Sequence, residues 1–285
     1  MHMANFPRPR VLSIQSEVAF GHVGNTAARF ALQRLGVDVM ALPTVLFSNH
    51  PGHKGMKGQA TAPALLDDLL TGLEERGFLE GVDAVISGYL GDPAQAETVR
   101  RAVTAVKGRN AKALYLLDPV FGDEGGAYAK PGIAEAMARQ LLPLADIVTP
   151  NRFELASLTS RRIETAADAA AAARLLGRPL VLATSAPVGD AGGIGTMAVT
   201  AREAFLVTTA RVNHPPSGTG DLLASLFLGW RLKGADIADA LGASVAGVDH
   251  MIRAAKDGGF TEMPLVAEQK ALSDPEIGDP PQRLA

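Results

Sequence analysis

The stretch "RVLSIQS" (residues 10–16), followed by "GNTAARFALQRLG" (residues 24–36), decides how the rest of the chain is read. The first is an apolar run of strand length; the second repeats its apolar positions at helical spacing until Gly36 stops it. The same alternation then recurs. Apolar runs start at Val37 ("VDVMALPTVLF"), Val82 ("VDAVISGYLG"), Ala111 ("AKALYLLDPV"), Ala145 ("ADIVTP") and Arg178 ("RPLVLATS"), with Ala-, Leu- and Arg-rich segments of helical length between them. Strands that are almost wholly apolar and separated by helices predict a parallel sheet covered on both faces. The segment "GIGTMAVTAREAFLVTTARV" (residues 193–212) breaks the rhythm with two short strands and no helix, which predicts an antiparallel hairpin at one edge. The expected class is α/β, in three layers, with a mostly parallel central sheet.

No Pro/Gly/Ser linker, composition shift or internal repeat divides the chain, so one domain over residues 1–285 is expected. Residues 1–9 read as a leader, and the polar, Pro-rich end from about residue 275 is expected to fray. With 47% hydrophobic and 20% charged residues there is ample material for a core. A net charge of -3 gives no electrostatic footprint for nucleic acid or an anionic membrane, and favours a small-molecule partner. The absence of cysteine excludes disulfides, thiolate zinc sites and a Cys nucleophile. The N-terminal residues lack the apolar core of a signal peptide, and no apolar run approaches the ~18 residues of a membrane span, so a cytoplasmic location is expected.

In an open parallel sheet, ligands bind at the carboxyl ends of the strands. Those positions carry Ser16 and Glu17, Tyr89 in "SGYLGD", Asp118 and Asp123 in "LLDPVFGD", Thr149, Asn151 and Glu154 in "TPNRFE", and Thr184 and Ser185 in "LATSAP". Singly, each has an ordinary explanation: Asp before Pro starts turns, and Asn or Thr caps helices. Their convergence is the stronger signal. Asn151 and Glu154, three apart at a helix start, can share a face. Oxygen donors without Cys or paired His suit a hard cation such as Mg²⁺, which keeps waters and shares phosphate oxygens.

"PPSGTGDLLASLFLG" (residues 215–229) sets two glycines and an aspartate before an apolar helix. Gly218 and Gly220 allow a close turn, and the free N–H groups from Gly218 to Asp221 would form an anion hole. Asp221 has two readings here. It is either an ordinary first-turn carboxylate or a base that takes a proton from a hydroxyl beside a transferring phosphoryl group. Neither a GxxxxGK[ST] loop nor a GxGxxG after a strand is present.

From "RVLSIQSEV" through "GHVGN", "FSNHPGHKGMKGQ", "SGYLGD", "LLDPVFGD", "LADIVTPNRFE" and "VLATS" to "GTGDLLASLFLGW" and "LSDPEI", the chain resembles the pyridoxal kinases of the ribokinase-like superfamily. "GTGD" is shared across that superfamily; "SIQS", "FSNH" and "SGY" narrow the resemblance. It implies a ribokinase-like fold and ATP-dependent phosphorylation of the 5′-hydroxymethyl of pyridoxal, with pyridoxine and pyridoxamine as further acceptors. By position it implies Asp221 as the base, and Gly218, Thr219 and Gly220 as the hole for the γ-phosphate. Asp118, Asn151 and Glu154 would organise Mg²⁺ and the ATP phosphates, with Thr149 near a monovalent cation such as K⁺ and Thr184 and Ser185 on the phosphates. Asp123 and Tyr128 fall in a loop that closes over the site. Ser16 would bind the pyridine ring, with Tyr89 packed near it. A homodimer is implied by resemblance alone.

The chain departs from the pattern at Glu17, where relatives commonly have His, at Pro51, where they have Thr, and at His53, where they have Tyr. Pro51 removes a hydroxyl and a backbone donor from the expected pocket. His50 and His53 lie in a loop, where a histidine is ordinarily exposed; His53 could cover the ring as Tyr does in relatives. Two alternatives stand beside the kinase reading. One is a hydroxymethylpyrimidine kinase, although such relatives often carry Cys in place of the GTGD aspartate. The other is a vitamin-binding protein without turnover.

Overall fold

In the computed structural model, residues 8–189 and 192–284 are described. The first half runs β1 (Arg10–Phe20), α1 (Gly24–Arg34), β2 (Asp38–Asn49), β3 (Gly58–Ala60), α2 (Pro63–Glu75), β4 (Ala84–Ser87), α3 (Gln95–Arg109) and β5 (Leu114–Leu117). A small hairpin of β6 (Gly122–Asp123) and β7 (Gly126–Ala127) precedes α4 (Ile133–Ala136), β8 (Ile147–Val148), α5 (Arg152–Thr159), α6 (Ala166–Leu175) and β9 (Leu180–Ala186). The chain closes with β10 (Gly193–Val199), β11 (Ala204–Ala210), α7 (Thr219–Leu232), α8 (Ile237–Gly258), α9 (Lys270–Ser273) and β12 (Gln282–Leu284).

Among the described residues, ten strands form one sheet in the order β12-β11-β10-β9-β8-β5-β4-β1-β2-β3. Six neighbours, β2-β1-β4-β5-β8-β9, are parallel throughout. The hairpin β10–β11 is antiparallel, as its uninterrupted pair of strand signals predicts. Successive residues of a strand point to opposite faces, and here both faces are dry. Val11 packs with Ala27, Leu32, Leu226 and Phe227 beneath α1, α7 and α8. The next residue, Leu12, packs with Leu66, Val99 and Tyr115 beneath α2 and α3. This two-sided burial is why the parallel strands read as continuous apolar runs rather than alternating ones.

The structure corrects three expectations. The tail does not simply fray: Gln282–Leu284 adds an antiparallel strand to β11, satisfying that edge. The expected loop after Asp118 contains the β6–β7 hairpin. β1 does not end at Ser16 but runs to Phe20, with a register shift against β2 between Gln15 and Glu17. Such a bulge re-aims side chains within a strand. Of the expected leader, residues 1–7 lie outside the described residues, and Pro9 already accepts a backbone bond from Asp38. Among the described residues no helix is long and apolar enough to cross a membrane.

Candidate active site

β5 and β8 are neighbours, so the residues that follow them meet. Thr149 Oγ1 donates to Asp118 Oδ1 at 2.7 Å, and both side chains are buried. Asn151 and Glu154 form a reciprocal capping box at the start of α5. The Asn151 Oδ1 accepts from the Glu154 N–H at 3.0 Å, and Glu154 Oε2 accepts from the Asn151 N–H at 2.9 Å. Each also reaches the segment after β5: Phe121 N–H donates to Glu154 Oε1 at 3.1 Å, and Asn151 Nδ2 donates to the Gly122 carbonyl at 2.8 Å. The pair therefore ties the hairpin loop to α5 while placing a carboxylate beside Asp118. Farther along the sheet, the Thr184 N–H donates to the Pro150 carbonyl at 2.9 Å. Ser185 takes a left-handed φ of 55°, an uncommon conformation for a residue other than Gly, Asn or Asp.

The N-terminus of α7 faces this group. Gly218, its N-cap, has φ 85°, and a Cβ there would stand 1.9 Å from the His22 carbonyl oxygen. Only glycine fits. At Gly220 a Cβ would meet open space, so packing within the chain does not require glycine there. Asp221 lies in the first turn, partly buried, with the Gly24 N–H turned to its carboxylate.

Burial is the main electrostatic fact of the site. It raises the Asp221 carboxyl to about 6 against the partial relief of the Gly24 N–H. It raises Glu154 to about 7, although backbone donors at Asn151 and Phe121 pull the other way. Asp118 is pushed well above the usual carboxylate range by burial, then by the charges of Glu154 and Asp221, with the Thr149 hydroxyl opposing. Tyr128 is 52% exposed, yet burial of the rest and the charges of Glu154, Asp118, Asp221 and Asp123 push its phenol upward. The residue just after the hairpin therefore lies where the charges of all four carboxylates bear on it. Asp123 itself is exposed and accepts from the Gly125 N–H at 2.7 Å, a turn contact. The oxygen-only donor set and its excess negative charge fit a divalent hard cation.

On the other side of the turn after β1 lie the candidates for ring binding. Ser16 is buried against Gly24. Tyr89 is half-buried, which pushes its phenol upward, and its carbonyl accepts from Thr44 Oγ1 at 2.6 Å. His53 is not isolated: its Nε2 lies 2.7 Å from Glu262 Oε1, and His50 Nε2 lies 2.6 Å from the same oxygen. His50, against expectation for a loop histidine, is buried, because the loop folds onto the segment after α8. The sequence reading also missed Glu262, which carries no motif, and a buried polar relay under the site. In that relay Gln15 Nε2 donates to Ser13 Oγ at 2.9 Å, Ser13 Oγ donates to Asn25 Oδ1 at 2.7 Å, and Asn25 Nδ2 donates to the Gln15 carbonyl at 3.1 Å.

The raised carboxyls make the site destabilising when they ionise. Each has a folded-state pKa above its unfolded value, so the native state binds more protons, and its favourable contribution below about pH 4 is lost as pH rises to about 7. Asp118→Asn keeps an acceptor for Thr149 and removes one charge. It is expected to raise the denaturation midpoint at pH 8, with a gain that shrinks toward pH 4; urea titrations at both pH values check this. An equal midpoint at pH 8 would contradict the electrostatic account.

A family model described as phosphomethylpyrimidine kinase matches residues 75–265. Curated relatives named pyridoxal kinase PdxY extend over nearly the whole chain. The protein from Rubrobacter xylanophilus is 42% identical, covering 96% of this chain and 97% of its own. That from Deinococcus radiodurans is 42% identical, covering 93% of both. Among solved structures, pyridoxal kinase from Leishmania donovani in complex with ADP and pyridoxine superposes with a TM-score of 0.90 at 27% identity, covering 97% of this chain and 99% of its own. The same enzyme with ADP and pyridoxamine gives a TM-score of 0.91 at 28% identity, with the same coverage. The fold is therefore ribokinase-like in the form these kinases share, and the chain belongs to the pyridoxal kinase family.

Proposed function

We propose that this chain acts as one catalytic unit that phosphorylates the 5′-hydroxymethyl of pyridoxal, and of pyridoxine and pyridoxamine, with ATP as donor. The observation that carries the reading is the placement of Asp221. It sits in the first turn of a helix whose free N–H groups face buried carboxylates, with its own carboxyl raised to about 6. A base poised near neutral pH both stays ionised and accepts a proton effectively. As the acceptor oxygen bonds to the γ-phosphorus, its proton passes to Asp221 and the bond to the bridging oxygen of ADP breaks. The N–H groups of Gly218, Thr219 and Gly220 stabilise the charge on the transferring group. Glycine at 220 keeps that approach open.

Asp118, Asn151 and Glu154 are suited to organise Mg²⁺ and the phosphates, with Thr149 beside them for a monovalent ion such as K⁺. A bound Mg²⁺ would supply charge neutralisation for the phosphates. Thr184 and Ser185 sit at the adjacent strand end, where ATP phosphates would extend. Ser16, Tyr89 and His53 line the ring side. Support for the vitamin B6 acceptor over a hydroxymethylpyrimidine comes from relatives at 42% identity along the full chain, and from Leishmania complexes holding ADP with pyridoxine or pyridoxamine. The intact Asp221, Asp118 and Glu154 favour turnover over binding alone.

Three measurements follow. Asp221→Asn is expected to lower kcat by about 10²–10⁴ while ATP and pyridoxal still bind. Direct product analysis with all three B6 forms and hydroxymethylpyrimidine checks this; product from the pyrimidine alone would move the assignment. The Asp123–Tyr128 hairpin is expected to close over both substrates and keep water out. ATP and pyridoxal together should then slow proteolysis there more than either alone. Finally, the resemblance to pyridoxal kinases supports a homodimer. Sedimentation velocity should give twice the chain mass, and a monomer at micromolar concentration would dismiss it.

A further inference from the structure

Glu262 lies between α8 and α9 and collects donors from two separate pieces of chain. His50 Nε2 and His53 Nε2 reach its Oε1 at 2.6 and 2.7 Å, and the His22 N–H donates to its Oε2 at 3.1 Å. His22 belongs to the turn after β1; the two histidines belong to the loop after β2. Burial by itself would raise this carboxyl, but hydrogen bonds from His50 and His53 outweigh it and leave the group below its ordinary value. Glu262 is therefore an anion that can only accept. The Gly52 N–H donates to His50 Nδ1 at 3.1 Å, which assigns the His50 proton to Nε2. The three ligand atoms lie within 4.8 Å of one another, a spacing a metal ion would also fit. With its proton on Nε2, however, His50 offers no lone pair there, so the group reads as a hydrogen-bonded latch.

The turn that Glu262 holds is the one on which the reacting end is built. The carbonyl of His22 packs against Gly218, and the N–H of Gly24 faces Asp221. Among the described residues the hydrogen bonds of Glu262 run to His22, His50 and His53, and to neither Gly218 nor Asp221. We propose that Glu262 is a positioning residue for phosphoryl transfer, latching the turn that sets Gly218 and Asp221 to the loop that carries His53 into the ring pocket. This rests on the function proposed above. One carboxylate then aligns base and acceptor together, while the ATP phosphates are held by the separate group around Asp118. A small misplacement of reacting groups can cost about 10²-fold in rate.

Glu262→Gln keeps size and replaces part of the acceptor surface with an amide that opposes the incoming N–H donors. It is expected to lower kcat by about 10- to 100-fold and to raise KM for pyridoxal, with KM for ATP within about twofold of wild type. Amide exchange should quicken in residues 20–24 and 50–53 together and remain unchanged in β5 and β8. Unchanged kinetics in an active background would overturn the proposal, as would equal rises in both KM values with exchange quickened throughout, the mark of a general folding defect. Stoichiometric Zn²⁺ binding without nucleotide, lost in His53→Phe, would overturn it in favour of a metal site. If wild type phosphorylates no B6 form, the function reading fails. Exchange still judges the latch: unaltered protection at 20–24 and 50–53 in Glu262→Gln removes it.

Discussion

The contact between Gly218 and the His22 carbonyl is the constraint from which the site follows. It joins the turn after the first strand to α7, which follows the β10–β11 hairpin, and no Cβ can be accommodated between them. Because β1, β4, β5, β8 and β9 are parallel, their carboxyl ends share one edge of the sheet. Docking the N-terminus of α7 on the β1 turn therefore sets its free N–H groups opposite whatever follows β5 and β8. The strand ends supply Asp118 and Thr149, and α5, which starts from the end of β8, supplies Glu154; the glycine contact decides that Asp221 faces them. The apolar run from Leu222 to Leu228 then anchors the helix in the core, so the close turn is held by packing well away from it.

Gathering buried carboxylates at that edge works against folding. Asp118 is raised both by burial and by its neighbours' charges, so the folded chain retains protons that the unfolded chain would release. The two dry faces of the sheet offset this cost, and so does the local wiring of Glu154, which accepts backbone N–H donors from Asn151 and Phe121. A cationic ligand that bound only the folded state would shift the balance further toward it. Strain has a similar address: Ser185, at the carboxyl end of β9, is in the left-handed region, beside a register shift in the β9–β10 pairing.

What the sequence made legible divides along physical lines. Parallel strands buried on both faces leave long apolar runs, and helices between them leave their own period, so the central sheet and the β10–β11 hairpin could be read directly. β3, β6, β7 and β12 have only two or three residues each. No period exists at that length, and their pairing depends on an edge supplied by another part of the chain. The bulge that keeps Ser16 inside β1 is likewise a relation between two strands and leaves no mark on either. At the site, Asp118, Thr149 and Asn151 were legible because topology alone sends strand ends to one edge. Glu262 was not: it is a lone carboxylate in a loop, and its three donors lie far away in the chain. For the same reason the burial of His50 could not be foreseen.

Pro51 shapes the hydrogen bonding of the loop after β2. Pro51 has no N–H, and the next donor, at Gly52, is taken by His50 Nδ1. The N–H of His53 donates to the His50 carbonyl at 3.1 Å, so the loop's backbone is committed to its own turn. Where the family resemblance leads one to expect a threonine hydroxyl and a tyrosine, this chain carries Pro51 and His53, and the proposed reading gives the ring contact to His53. Its Nε2 is held by Glu262, and its ring stands edge-on to Phe20 with centroids 5.5 Å apart. An imidazole fixed at one nitrogen by an anion can cover a ring with its face while its other nitrogen stays available to a polar substituent. In the proposed reading, discrimination among B6 forms would then rest on one oriented ring instead of a pair of hydroxyls, and that ring is held by Glu262, 209 residues away in sequence but 2.7 Å away in space.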